Sequence, residues 1–170
     1  MPSSTDPTRL ERIARLFNAH GVRFIVIGGQ AEYLMGSPRV TYDVDLCYER
    51  TKENLERLAS ALKELKPTLR GAPPDLPFII DAGSLALGSN FTFNTAVGAL
   101  DLLGWVEPLG DYEAIAKRAT SVRVGDLDLL VIDLDDLIRI KQHIGRSKDR
   151  ESLMQLLAIK RIRDEQSMGK

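Results

Sequence analysis

The chain has 170 residues, of which 44% are hydrophobic, a length and composition that suit one domain with a sizeable core. Lysine and arginine number 23 against 24 aspartates and glutamates, a net charge of -1, which excludes a general pull toward nucleic acid or anionic membrane and requires any polynucleotide partner to find a local basic patch. The single cysteine, Cys47, excludes an internal disulfide framework; with no signal-peptide stretch in Met1–Pro7 and no apolar run near the ~20 residues that span a bilayer, the chain reads as cytoplasmic with no membrane partner.

Asp6 and Pro7 read as the N-cap and first position of a helix, with Leu10, Ile13, Ala14 and Phe17 at helical spacing until His20-Gly21. Phe24 to Ile27 is a short β-branched and aromatic run, a buried strand closed by Gly28-Gly29, and Gln30 to Met35 follows as a short helix. Val40 to Tyr48 alternates as a strand, Val44 and Leu46 pointing one way and Asp43, Asp45 and Cys47 the other. From Thr51 to Leu65 a stripe of leucines marks a helix that Pro67 ends.

Gly71 to Pro77 is a loop, followed by a brief strand at Phe78–Ile80. Phe91–Thr95 and Ala99–Leu103 pair as a hairpin that sets Asp101 within a sheet. Ser121–Val124 and Leu127–Ile132 flank Gly125-Asp126, the pair expected in a two-residue type II′ turn. Leu134–Ile144 and Lys148–Asp164 are two further helices broken at Gly145. Residues 1–170 are therefore expected to form one domain, with a core at about 20–105 and a C-terminal hairpin and helices at about 111–165.

Asp43 and Asp45 lie two apart on one strand, which puts their carboxylates on one face with alpha carbons roughly 6 to 7 Å apart. Such a pair either brackets a hard cation such as magnesium, which favours oxygen ligands shared with substrate phosphates, or forms a solvated strand face. Asp101, between Leu100 and Leu102, either adds the third carboxylate of a two-ion site, with ions ~4 Å apart, or is a structural acid near a turn. Gly28-Gly29 either lets backbone amides approach a phosphate or makes an ordinary turn. Arg39 and Thr41 could orient phosphate, and Lys141 could neutralise it, where surface positions would explain them equally.

The run Ile27-Gly28-Gly29, thirteen residues, then Asp43-Val44-Asp45-Leu46, with Leu100-Asp101-Leu102 later, resembles the signature of the polymerase-beta-like nucleotidyltransferase superfamily. Gln30, Ala31, Gly36, Arg39, Thr41, Lys141, Arg146, Lys148 and Asp149 make it similar to its minimal members, including the AbiEii-type toxins. The resemblance covers most of residues 20–165. It implies an α/β fold, a short mixed β-sheet flanked by helices with further C-terminal helices. It also implies transfer of a nucleoside monophosphate from a nucleoside triphosphate, ATP among them, to an acceptor hydroxyl, with two magnesium ions held by Asp43, Asp45 and Asp101. Gly28, Gly29, Arg39, Thr41 and Lys141 would bind the nucleotide. The role it implies is that of a toxin-antitoxin component acting on transfer RNA or a protein hydroxyl, with a cognate antitoxin as protein partner. Two alternatives stand beside it, an enzyme that adenylylates a hydroxylated antibiotic and a non-catalytic nucleotide- or protein-binding module. The C-terminal Lys141, Arg146, Lys148, Arg150, Lys160, Arg161 and Arg163 are the expected RNA-binding face, or else a solvated helix surface.

Overall fold

A computed structural model describes residues 7–73 and 75–169. Helix α1 (Arg9–Ala19) buries Leu10, Ile13, Ala14 and Phe17, the stripe its periodicity predicts. Thr8 caps it, its hydroxyl accepting from the Glu11 amide at 3.1 Å; the helix thus begins two residues after the expected start, and the expected cap, Asp6, lies outside the described residues. Strand β1 (Phe24–Ile27) is buried at all four residues, as its unbroken apolar run requires of a strand covered on both faces. Helix α2 (Gly28–Leu34) starts at once, so the glycine pair opens a helix where a strand-closing turn was expected.

Strand β2 (Val44–Tyr48) is shorter than the expected Val40–Tyr48. Residues 40–43 form a loop, held by Gln30 Nε2, which donates to the carbonyls of Thr41 and Asp43 at 3.2 Å each. That side-chain link occupies carbonyls a strand would have committed to its ladder. Helix α3 (Lys52–Glu64) is capped by Thr51 and buries Leu55, Leu58, Ala61 and Leu62. Asn54, fully buried, donates to the carbonyls of Arg23 and Glu49 and accepts from the Arg23 amide at 2.8 Å, which fixes the ends of β1 and β2 against α3.

The two-residue strand β3 (Thr68–Leu69) and helix α4 (Ala82–Leu87) precede the hairpin of β4 (Asn90–Thr95) and β5 (Gly98–Leu103). Phe78–Ile80 is not a strand. The β4 edge it would join is already taken by Thr68 and Leu69. Phe78 instead lays its ring against Phe91 and Phe93 at 6.3 and 6.0 Å, a packing contact that needs no ladder.

Helix α5 (Tyr112–Ala116) leads to β6 (Thr120–Val124) and β7 (Leu127–Val131), joined through Gly125-Asp126 as expected. Helix α6 (Leu134–Ile144) ends at Gly145, and after a 3-10 turn at Ser147–Asp149 helix α7 (Arg150–Met168) runs on. The seven strands form one mixed sheet in the order β3-β4-β5-β2-β1-β7-β6. β2 runs antiparallel to β1 and parallel to β5, so the sheet centre brings β2 beside β5 although 49 residues of chain separate them in the sequence, between Tyr48 and Gly98. None of the helices among the described residues is long and apolar enough to cross a membrane.

Candidate functional site

The register between β2 and β5 pairs Val44 with Leu100, Asp45 with Asp101 and Leu46 with Leu102. Val44, Leu46, Leu100 and Leu102 are fully buried on one face, so the alternation of a strand turns Asp45 and Asp101 together to the other. Asp43 stands just before the strand and is exposed. The three aspartates share one cavity of about 380 Å³, with Gly29, Arg39 and Thr41 on one wall and Lys141, Arg146 and Lys148 on another. Of the residues expected in the site, only Gly28 does not line it.

Gly28 has a structural part instead. Its φ is +64°, and a Cβ there would overlap Asp45 Oδ2 and lie 3.0 Å from Asp45 Cβ and Cγ. The missing side chain is the space in which the Asp45 carboxylate sits. Gly29 serves the next position, since a Cβ on it would stand 2.8 Å from Thr41 Cγ2. The glycine pair therefore lets the aspartate loop pack against the head of α2.

Charge in the cavity is tightly balanced. Asp45 is pushed up to about 7, first by burial, then by the charge of Asp101 and a hydrogen bond with it, and by Asp43; Arg70 opposes the rise. Near neutral pH Asp45 therefore passes between its protonated and ionised forms. Arg70 Nη2 lies 2.9 Å from Asp101 Oδ1. The approach is that of an ion pair and not an aligned hydrogen bond, for this oxygen, buried, has no hydrogen-bond partner. Arg70 is itself held by the Phe93 carbonyl at 2.8 Å and Asn94 Oδ1 at 3.3 Å.

Arg70 was not legible in the sequence. It stands one residue past β3, and only the pairing of β3 with β4 carries it over Asp101. Glu32 is a second residue the sequence did not mark. It is fully buried on α2, and Lys141 Nζ lies 3.3 Å from its carboxylate and 3.2 Å from Asp149. Arg146 adds a 2.7 Å bond to Asp149. Burial pushes Asp149 up, but the hydrogen bonds from Arg146 and Lys141 outweigh it and hold the carboxyl below its ordinary value. Lys141 therefore lines the cavity with its charge already engaged by two carboxylates. Arg39 reaches Ser152 Oγ at 2.6 Å, which ties the loop before β2 to α7.

The donor set is chemically suited to a hard divalent cation: three carboxylates, all oxygen, one with a buried unpartnered atom. Among the described residues, no three acidic, histidine or cysteine side chains are grouped closely enough as they stand to hold an ion. The proton that Asp45 retains up to about 7 and the charge of Arg70 offset the carboxylates instead, and ligation requires Asp45 to lose that proton.

No family model matches the chain, and no curated protein is similar to it in sequence. Solved structures are similar in fold. A candidate nucleotidyltransferase from Thermotoga maritima superposes with a TM-score of 0.54 at 16% identity, over 92% of this chain and 98% of that one. The lincosamide antibiotic adenylyltransferase LnuA, with lincomycin bound, superposes with a TM-score of 0.58 at 16% identity, over 89% of this chain and 96% of that one. The chain has the nucleotidyltransferase fold. The mixed sheet, the flanking helices and the C-terminal helices are those the sequence resemblance implied.

Proposed function

We propose that this chain is a magnesium-dependent nucleotidyltransferase that moves a nucleoside monophosphate from a nucleoside triphosphate to an acceptor hydroxyl. The observation that carries the reading is the in-register pair Asp45 and Asp101, with Asp43 beside it, in a cavity whose walls present Arg39, Arg146 and Lys148. Asp43, Asp45 and Asp101 would hold the metal. Magnesium, when bound, supplies charge neutralisation of the phosphates and a lowered pKa for the acceptor hydroxyl.

The chain's own residues then have separable tasks. Arg39 and Lys148 draw the triphosphate in, the guanidinium keeping nitrogens free beside its Ser152 bond. Lys141 positions the wall, bracing Glu32 against Asp149. Gly29 and Thr41 set how closely a phosphate approaches α2. Asp101 takes the proton of the acceptor hydroxyl. The hydroxyl oxygen forms its bond to the α-phosphorus, the bond from that phosphorus to the bridging oxygen breaks, and pyrophosphate leaves with the electron pair.

On the acceptor there are two readings. A toxin-antitoxin enzyme would label transfer RNA or a protein hydroxyl and answer to an antitoxin. Two observations favour a small hydroxylated acceptor. The fold is covered almost end to end by an antibiotic adenylyltransferase. Much of the basic set expected to face RNA is ion-paired: Lys160 to Asp135, Arg161 to Glu165, Arg146 and Lys141 to Asp149. The test incubates the protein with magnesium and each α-labelled triphosphate, alone, with total transfer RNA and with hydroxylated antibiotics, following label and pyrophosphate. Transfer to any acceptor that Asp43→Ala abolishes is the expected result. Absence of both transfer and magnesium-dependent triphosphate binding would leave a non-catalytic module.

A further inference from the structure

Beside the acidic cavity lies a second one of about 400 Å³, formed by Thr8 and Arg9 at the head of α1, Gln30 and Tyr33 on α2, and the loop residues Val40 to Tyr42. Val40 and Thr41 line both cavities. The two are adjoining halves of one groove, charged on one side of this loop and largely apolar on the other. The loop between them is fixed by the two Gln30 hydrogen bonds to its carbonyls.

The second half presents aromatic rings to open space. Tyr33 is 56% and Tyr42 68% exposed, with Val40 at 64%, a cluster of apolar surface of the kind that marks a binding site. The Arg9 guanidinium lies over the Tyr42 ring, 5.5 Å from its centroid. Arg9 is seated in turn against Gly98 at the β4–β5 turn, where a Cβ would come within 3.0 Å of its Nη1. A ring oriented by this contact, beside a second exposed tyrosine, is a platform for stacking a flat π system.

We propose that this half-groove is a base-stacking subsite, taking the purine or pyrimidine ring of a nucleotide whose phosphates lie in the acidic cavity across Val40–Thr41. The inference rests on the nucleotidyltransferase reading for its neighbouring phosphates. The ring belongs either to the nucleoside triphosphate or to the terminal nucleotide of a polynucleotide acceptor. The chemistry of recognition is the same for both, since every base has a π face and stacking tolerates any of them.

Calorimetric titration with ATP, inorganic tripolyphosphate and a short single-stranded oligoadenylate, all in magnesium, tests it on wild type, Tyr33→Leu, Tyr42→Leu and Tyr33→Phe. Both leucine variants are expected to lose about 10-fold in affinity while Tyr33→Phe keeps it and tripolyphosphate binding is unchanged. Loss for ATP assigns the ring to the triphosphate, and loss for oligoadenylate alone assigns it to the acceptor. Leucine variants that bind ATP and oligoadenylate like wild type, or that lose tripolyphosphate equally, overturn the subsite while leaving the enzyme reading standing. A wild-type protein that binds none of the three overturns both.

Discussion

Replacing Gly28 by alanine separates the positioning of the candidate site from the stability of the fold. Two costs combine at this residue. Alanine at a φ of +64° carries a backbone penalty of about 1–2 kcal/mol. Its Cβ would also overlap Asp45 Oδ2 and stand 3.0 Å from Asp45 Cγ. Opening that distance to an ordinary contact of about 3.5–4.0 Å moves the carboxylate by roughly 0.5–1 Å. A displacement of that size in reacting groups costs on the order of 100-fold in rate. Gly21→Ala is the matched control, because Gly21 has a φ of +72° and a Cβ there would come no closer than 3.7 Å to its nearest neighbour, Arg57. Thermal melts paired with pyrophosphate release and magnesium titration are the assay. Gly21→Ala should lose about 1–2 kcal/mol and keep its activity per folded molecule. Gly28→Ala should lose more stability and on the order of 100-fold in activity. Equal activity and metal affinity in the two variants would refute the placement of Asp45 against the head of α2.

The proton on Asp45 makes a second prediction. Its folded value of about 7 lies above the ordinary 3.8, so this group's contribution to stability is present below the ordinary value and is lost as pH rises through about 4 to 7, worth at most about 4 kcal/mol. Melts without metal should therefore fall across that window, and Asp45→Asn or added magnesium should flatten the slope; a slope that Asp45→Asn leaves intact would assign it elsewhere. Lys141→Ala should cost about 3–5 kcal/mol, because it strands the buried Glu32 carboxylate and leaves Asp149 with Arg146 alone, whereas Lys148→Ala, on an exposed side chain, should raise KM for the triphosphate with little change in Tm. The reverse pattern, an intact melt for Lys141→Ala, would make Lys141 a free phosphate-binding cation. Arg70 lowers Asp45, so Arg70→Gln should move the acidic limb of the pH–rate profile to higher pH; an unmoved limb would remove Arg70 from the site.

Much of the frame was legible because its signals are local. The apolar stripes of α1 and α3 are buried as their spacing requires, and the Gly125-Asp126 turn closes β6 on β7. Asp45 and Asp101 were readable from alternation and from apolar neighbours, yet their meeting depends on β2 lying parallel to β5, which no local pattern encodes. For the same reason the sequence hid Arg70, carried in by a two-residue strand, and Glu32, paired with a lysine on α6. The short helices α4 and α5 did have a signal. Asp81 and Asp111 each accept from the amide three residues on, at 2.7 and 3.0 Å, the mark of an aspartate N-cap. The loop at residues 40–43 looked like strand because its residues alternate, and the Gln30 contacts that decide otherwise come from another element.

The central claim is that three aspartates bind a triphosphate through a metal. Its most direct test is equilibrium binding of a non-hydrolysable triphosphate analogue to wild type and Asp45→Ala, each with magnesium and with chelator. Binding that requires magnesium and is lost in Asp45→Ala is the predicted result. Equal binding with and without magnesium, or a wild-type affinity in Asp45→Ala, would contradict the assignment of the site.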